Sequence, residues 1–140
     1  MHPAARHLVF HGAIVLLFGL LLGAPYAKAI KREVAAHIVN SWRVAHLSLP
    51  IGATLMLATA AVLPWLTVPA WMLWLIAVAL IVSAYGFCVS TPLAAISGQR
   101  GLSSEGTAGW GKLVYLGNMV GAVASIVAAV ALLIAAFLTL

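Results

Sequence analysis

A histidine and an arginine open a long apolar run in the segment Trp42-Arg43-Val44-Ala45-His46-Leu47-Ser48-Leu49-Pro50. Ionisable side chains inside a membrane segment are rare, and by default they indicate a functional site. Imidazole is the commonest protein ligand for metals, including haem iron, so His46 is the first candidate ligand of the chain. Because Pro50 has no N–H to donate to the His46 carbonyl, we expect the helix to kink at this histidine.

Both polar side chains of this segment also have a simpler interpretation. A histidine near a helix start can serve as an interfacial hydrogen-bonding residue, and Arg43 can be an anchor whose charge reaches the lipid headgroups. In the functional interpretation, Arg43 is placed to pair with a haem propionate. The residues alone leave both interpretations open.

The other polar side chains of the apolar segments fall mainly near the membrane face where His46 lies. Tyr85 is expected about 9 Å deeper than Thr91, at 1.5 Å per helical residue. This one-sided distribution predicts a pocket that opens from one side of the membrane. Each of its polar groups could instead hydrogen-bond a neighbouring helix. The group comprises Ser48, Tyr85, Ser90, Thr91, Tyr115 and Asn118.

His11 is expected near the opposite membrane face, at the start of the first apolar segment. Its depth should then differ from that of His46 by roughly 20 Å in a span of about 30 Å. The two imidazoles therefore cannot ligate one metal within a chain, which leaves His46 as the strong candidate ligand. His11 either forms an interfacial hydrogen bond or lines a pocket from a neighbouring subunit. A second axial ligand at the level of His46 could come only from His37, which otherwise is a surface residue.

No carboxylate lies within any apolar segment, because Glu33 and Glu105 both fall in predicted loops. Proton-coupled carriers and enzymes with paired carboxylates need such acids, so the sequence argues against both classes. The single cysteine, Cys88, excludes an internal disulfide and the Cys-x-x-Cys-His attachment of c-type haem. Any chemistry would therefore have to be carried by a cofactor.

The elements that position these residues are membrane helices. Of the 140 residues, 65% are hydrophobic and 6% are charged, which indicates an integral membrane protein with no room for a second domain. Four continuous apolar runs predict helices at about 8–27, 44–66, 70–96 and 113–140. We therefore expect an all-α fold in which residues 1–140 form one four-transmembrane-helix bundle.

The basic residues set the expected orientation of this bundle. They are few and lie mostly in the first and third predicted loops, so the net charge of +5 indicates topology signals, not a nucleic-acid partner. This places both loops in the cytoplasm and predicts a multi-pass protein of the cell inner (cytoplasmic) membrane. The spacings Gly19…Gly23 and Gly117…Gly121 permit close helix approach. Because four short helices bury little lateral surface, we also expect a homo-oligomer.

Three motifs occur in a distinctive order along the chain. Phe10-His11-Gly12 precedes an apolar run containing Phe18-Gly19. Trp42-Arg43-Val44-Ala45-His46 is similar to a Trp-x-Arg-x-His block with slightly different spacing, and Gln99-Arg100-Gly101-Leu102 is similar to an Asn-Arg-Gly-Leu before the last helix. Over nearly its whole length the chain thus resembles the small four-helix membrane isomerases typified by styrene oxide isomerase, and more distantly hydroxylaminobenzene mutase.

The resemblance implies a homotrimer with haem b between subunits and His46 as the axial ligand of the ferric iron. The iron would act as a Lewis acid that rearranges a small apolar aryl epoxide to an aldehyde, as in the conversion of styrene oxide to phenylacetaldehyde. It further implies that Trp42, Arg43 and His11 contact the haem. Tyr85 is a loose counterpart of the family's pocket tyrosine, a few residues off register, and Asn118 is a candidate catalytic substitute.

The chain departs from the family pattern at Gly52, where the styrene oxide enzymes have an asparagine six residues after the axial histidine. Other functions also remain open. One is rearrangement of an aryl hydroxylamine, as in hydroxylaminobenzene mutase. Another is a non-enzymatic b-type haem anchor for electron transfer, and a third is a structural or transport protein without a cofactor.

Overall fold

The computed structural model describes residues 1–99 and 109–140, and in these ranges the protein is helical with no β-strand. The motif residues Arg100, Gly101 and Leu102, and Glu105, lie outside the described residues. The elements are α1 (Pro3–Leu21), α2 (Gly23–Lys31), α3 (Ala36–Val62), a 3-10 turn (Leu63–Trp65), α4 (Ala70–Ser97) and α5 (Trp110–Thr139). The predicted all-α fold is confirmed.

Four helical stretches are long and apolar enough to cross a membrane, as the sequence predicts: Pro3–Lys31, Ala36–Trp65, Ala70–Ser97 and Trp110–Thr139. Large apolar side chains such as Ile51, Leu133 and Phe137 are about 70% exposed on the outside of the bundle. In water this surface would be unfavourable, whereas lipid tails solvate it without cost. The chain is therefore a multi-pass membrane protein.

The second span begins earlier than predicted. The expected loop from residue 28 to residue 43 is mostly helical, because α2 continues to Lys31 and α3 already begins at Ala36. No proline or glycine lies between residues 33 and 49 to end a helix, so the polar side chains there occupy its exposed face. His46 lies ten residues into α3, about 15 Å from its start, instead of one turn inside.

The first span is interrupted at Leu22, which separates α1 from α2. Pro25 lies in the first turn of α2, and its ring would clash with the carbonyl four residues earlier in a straight helix. The interruption therefore falls one turn before a proline, where a kink or break is expected. In contrast, α3 passes through Pro50 without ending.

The helices pack in an order that leaves a gap in the bundle. α1 lies mainly against α3, α5 lies mainly against α4, and α4 also packs on α3 and α1. α3 and α5 thus share α4 as a neighbour but have little contact with each other. Buried side chains of α1, α3 and α4, including Leu8, Met56 and Ile76, form the core beside this gap.

Glycines bring α4 and α5 into close contact. A Cβ on Gly86 would lie 2.9 Å from the Gly117 carbonyl oxygen, and one on Gly117 would lie 2.9 Å from the Gly86 oxygen. A Cβ on Gly121 would meet the Phe87 ring at 2.9 Å. The close approach expected from Gly117 and Gly121 is therefore present, and Gly86 is its partner on α4.

Gly86→Ala is expected to lower stability by about 1–3 kcal/mol, because its methyl group would meet backbone atoms that cannot rotate away. The measurement is thermal unfolding of the detergent-solubilised protein. Gly52→Ala is the matched control, since a Cβ there meets nothing within 4 Å. An unfolding temperature equal to that of the unchanged protein would contradict the close packing of α4 and α5.

Candidate functional site

The His46 side chain points from α3 toward α1 and α2. Its Nδ1 atom lies 3.0 Å from the carbonyl oxygen of Gly19 on α1. A carbonyl oxygen can only accept a hydrogen bond, so Nδ1 must carry the proton and donate it. In the neutral imidazole, Nε2 then holds the lone pair that a metal ion needs. The Gly19 carbonyl thus fixes the tautomer and the orientation that a ligating histidine requires.

Two further residues shape the surroundings of this ring. Gly23, at the start of α2, leaves the ring room: a Cβ there would lie 3.1 Å from Cε1 of His46. Tyr26, one turn further on, stacks on the imidazole with ring centroids 6.1 Å apart and an angle of 29° between the planes. The break at Leu22 aims α2 so that both residues meet His46.

Arg43 lies one turn before His46 on α3, and its Nη2 donates a hydrogen bond of 2.6 Å to Oδ1 of Asn40. Together with Tyr26, both residues line a cavity of about 610 Å³ between α2 and α3. A cation and a planar aromatic ring therefore lie next to the imidazole at the same end of the bundle. Trp42 is half-buried and packs against the hydrophobic core.

His46 by itself offers one ligand to a metal. Within residues 1–99 and 109–140, no group of three or more His, Cys, Asp or Glu side chains is arranged to hold a metal ion. A metal at His46 would therefore need most of its ligands from a cofactor, as a porphyrin supplies them. His37 lies nine residues earlier on the same helix, roughly 14 Å away along its axis, which is too far for both to ligate one iron within a chain.

A second cavity, of about 410 Å³, fills the gap between α3 and α5 with α4 at its back. Its walls are mainly aliphatic, with Phe87 as the aromatic member. Ile51 and Leu55, on its outer edge, are more than half exposed, so the cavity opens sideways from the chain. The polar residues of its lining are Ser48, Ser83, Thr91, Asn118 and Ser125. We call this space the α3–α5 cavity.

Most hydroxyl protons in this lining are already engaged. Ser83 donates to the Gly121 carbonyl at 2.8 Å, and Thr91 and Ser125 donate to carbonyls of their own helices. The α3–α5 cavity is therefore an apolar chamber with few groups for recognition, as in many small-molecule sites. Asn118 and Thr91 also line an adjoining cavity of about 360 Å³ that reaches Asn40. Of the polar residues that sequence analysis grouped in one pocket, Ser48, Thr91 and Asn118 line these two cavities, whereas Tyr85, Ser90 and Tyr115 line neither. Asn118 lines both cavities.

His46 does not line the α3–α5 cavity. The residues of α3 that line it include Val44, Ser48 and Leu55, together with the buried Leu49 and, on α1, Val15. The His46 ring is hydrogen-bonded to Gly19 of α1 instead. Since a residue advances about 100° around a helix, Val44 and His46 are directed to nearly opposite sides of α3. One chain therefore presents the candidate ligand on one face and the apolar chamber on the other.

Comparison with known proteins gives a family for this architecture. The family model described as styrene oxide isomerase matches residues 4–137, which is nearly the whole chain. The chain belongs to the styrene oxide isomerase family. No match is found among curated proteins. In this family member, the Trp42-to-His46 block lies in the first half of α3 with His46 directed to α1, and His11 lies in the middle of α1.

His11 and Tyr85 form a site of their own in this styrene oxide isomerase family member. His11 Nδ1 and the Tyr85 hydroxyl are hydrogen-bonded at 2.9 Å, and His7 stacks on His11 with ring centroids 6.0 Å apart. His7 in turn lies 5.4 Å from the Trp74 ring, so two layers of rings join α1 to α4. Sequence analysis singled out both His11 and Tyr85 but not their pairing, because contacts between distant helices leave no periodic signal.

The structure thus separates the predicted site residues into three groups. His46 and Arg43 lie beside α2, His11 pairs with Tyr85, and Asn118 lines the α3–α5 cavity. Tyr85 does not line that cavity, since it is two residues from Phe87 and points about 200° away around α4. His11 is eight residues before Gly19, about 12 Å along α1, which is shorter than the roughly 20 Å expected between His11 and His46, because His11 lies in the middle of α1 and His46 lies ten residues into α3.

Tyr85→Phe removes the hydrogen bond to His11 while keeping the ring, and we expect it to cost about 0.6–1.7 kcal/mol, the range for polar contacts between membrane helices. His11→Phe and the double variant complete a thermodynamic cycle, measured by unfolding in detergent. The two single costs should not add, because either substitution removes the same bond. Additive costs would show that the contact contributes nothing to holding α1 against α4.

Proposed function

We propose that this protein is a membrane-bound haem b-dependent isomerase that rearranges a small aryl epoxide to an aldehyde, as in styrene oxide to phenylacetaldehyde. The observation that carries the proposal is the hydrogen bond from His46 Nδ1 to the Gly19 carbonyl, which leaves Nε2 with its lone pair. Membership of the styrene oxide isomerase family supports an isomerase activity.

The residues around His46 suit a haem. Nε2 of His46 would be the axial ligand, and Arg43 would face a propionate, with Asn40 holding the guanidinium in place. Tyr26 and the side-chain-free Gly23 supply a flat wall beside the imidazole. The absence of a competing protein ligand cluster in the described residues is compatible with a cofactor that brings its own four nitrogens.

When bound, ferric haem supplies a Lewis acid that can polarise the benzylic C–O bond of an epoxide. The chain's own part is to hold the cofactor and to keep water away. In the rearrangement, the benzylic C–O bond breaks and a hydride moves from the neighbouring carbon to the benzylic carbon, while the oxygen forms the carbonyl. No proton or electron is gained or lost overall, so the site needs no acid–base pair.

The apolar walls of the α3–α5 cavity would decide the product. Water that reached the benzylic cation would give a diol, whereas aliphatic side chains and engaged hydroxyl groups leave the hydride shift as the faster route. Ser83 and Ser125 donate their hydroxyl protons to backbone carbonyls, so neither hydroxyl is free to hold a water molecule by donating to it. Asn118, at the polar end of the chamber, would orient the epoxide oxygen.

Because His46 and the α3–α5 cavity face opposite sides of α3, a site that uses both is best supplied by two copies of the chain. We propose a homotrimer, in which the cavity of one subunit faces the haem held by His46 of its neighbour. The sideways opening of the cavity between Ile51 and Leu55 supports this arrangement, since a partner would cover exposed apolar wall.

The test is a preparation of the full chain in detergent, loaded with haem b. We expect a Soret absorption band and conversion of styrene oxide to phenylacetaldehyde. In styrene oxide with two deuterium atoms on its terminal carbon, one deuterium should move to the benzylic carbon and the other should remain on the aldehyde carbon. Mass spectrometry should detect both, provided that the product is analysed before the benzylic deuterium exchanges with solvent. Haem binding without conversion, or full conversion by a haem-free preparation, would overturn the proposal.

A further inference from the structure

Gly52 occupies an unusual position in the wall of the α3–α5 cavity. It is half-buried in α3, where the nearby Leu49 and Ala53 are buried and Ile51 is exposed. A Cβ built at this position meets no atom within 4 Å, although the residue lines the cavity. The space that a side chain would take is therefore part of the chamber.

Six other helical glycines have a different reason to lack a side chain. A Cβ would meet a neighbouring atom at 3.3 Å or less at each of the following: Gly12, Gly19, Gly23, Gly86, Gly117 and Gly121. Those glycines allow helices or the His46 ring to pack closely. Gly52 allows no close contact, and its backbone is ordinary helix, where glycine costs about 1 kcal/mol relative to alanine. Neither packing nor backbone conformation accounts for glycine at position 52.

We propose that Gly52 determines substrate specificity by widening the chamber, so that the chain prefers aryl epoxides bulkier than styrene oxide. This inference rests on the proposed function for its substrate class. The walls near Gly52 are apolar, and the hydroxyl groups of Ser83 and Ser125 are engaged with carbonyls, so shape governs selection there. The extra bulk should be a hydrocarbon group, such as an alkyl substituent on the aromatic ring. A cavity of about 410 Å³ has room for more than one unsubstituted ring.

The preference follows from apolar burial. A hydrocarbon group that fills an existing apolar gap gains affinity, whereas the same group in a filled gap meets a steric clash. One methylene in an apolar pocket changes selectivity by roughly 10–200-fold. A side chain at position 52 should therefore weaken the binding of bulky substrates and leave the binding of small ones nearly unchanged.

The experiment compares styrene oxide with 4-tert-butylstyrene oxide in the haem-loaded protein and in Gly52→Ala, Gly52→Val and Gly52→Leu. The protein with Gly52 should convert the bulky epoxide with the higher kcat/KM. The ratio of bulky to small kcat/KM should fall stepwise with side-chain size, by at least about tenfold in Gly52→Leu. Ala58→Leu, on an exposed part of α3 outside the cavity, is the control for added bulk and should leave the ratio unchanged.

A second measurement separates this inference from the proposed function. Binding of the unreactive hydrocarbons toluene and tert-butylbenzene is measured by displacement of a fluorescent apolar probe. Gly52→Leu should lower the affinity for tert-butylbenzene at least about tenfold relative to the affinity for toluene, whether or not any epoxide is converted. Unchanged relative affinity, or a native preference for the smaller ligand, overturns the role of Gly52. Failure of the native protein to convert either epoxide overturns the proposed reaction instead.

Discussion

His46→Ala is expected to abolish the Soret band and to lower isomerase activity by at least about a hundredfold, since even the loss of a residue that only orients a metal ligand costs 10–100-fold. The physical reason is that no other described side chain next to Gly19 and Tyr26 offers a nitrogen lone pair. Removal of the imidazole leaves the iron without a protein bond. The measurements are the absorption spectrum during haem titration and the rate of aldehyde formation.

His37→Ala is the matched control, because it removes a histidine from the same helix without touching Gly19 or Tyr26. It should leave both the spectrum and the rate unchanged. A haem anchor for electron transfer with two axial histidines predicts the opposite: a low-spin spectrum that either substitution disturbs. Added imidazole offers a further check, since it should restore part of the Soret band to His46→Ala by filling the vacated space beside Gly23.

Sequence analysis could predict the features that depend on local composition. Four apolar runs identified the four spans, because transfer of a helix into lipid depends on the residues of that helix alone. The spacing of Gly117 and Gly121 predicted a close approach that is present between α5 and α4. His46 stood out because an ionisable group inside an apolar run has few structural explanations.

Features that depend on contacts between distant segments could not be predicted in this way. The bond from His46 to Gly19 joins residues 27 positions apart, and the bond from His11 to Tyr85 joins residues 74 apart. The α3–α5 cavity exists because two helices share α4 as a neighbour without meeting each other. The early start of α3 was missed because polar side chains were read as a loop, although Ala36 and the residues after it form an exposed helical face.

Sequence analysis missed the break between α1 and α2, although Pro25 could have predicted it. A proline in the interior of a predicted span favours a kink or break about one turn earlier, although α3 continues through Pro50. At Pro25 the break occurs, and it directs Tyr26 against His46. Sequence analysis did not include Tyr26 among the candidate site residues. Its contact with His46 adds it to the residues of the proposed haem site.

Gly19→Ala is expected to disturb the position of the His46 side chain, although it leaves His46 itself unchanged. Its Cβ would lie 2.5 Å from Cδ of Pro50 and 2.9 Å from Cβ of Leu49, and neither atom can rotate away. α1 must therefore move back from α3, which lengthens the bond between the Gly19 carbonyl and His46. We expect a loss of about 1–3 kcal/mol in stability and a haem affinity 10–100-fold lower, measured by thermal unfolding and haem titration.

Gly12→Ala is the control on the same pair of helices. There a Cβ would meet Leu57 at 3.3 Å, and the end of a leucine side chain can shift by the few tenths of an ångström required. Pro50→Ala added to Gly19→Ala removes the 2.5 Å contact and keeps the one with Leu49, so it should recover part of both losses. If Gly12→Ala lowered haem affinity as much as Gly19→Ala, the effect would come from general loosening of α1. The carbonyl of Gly19 would then have no special part in presenting His46.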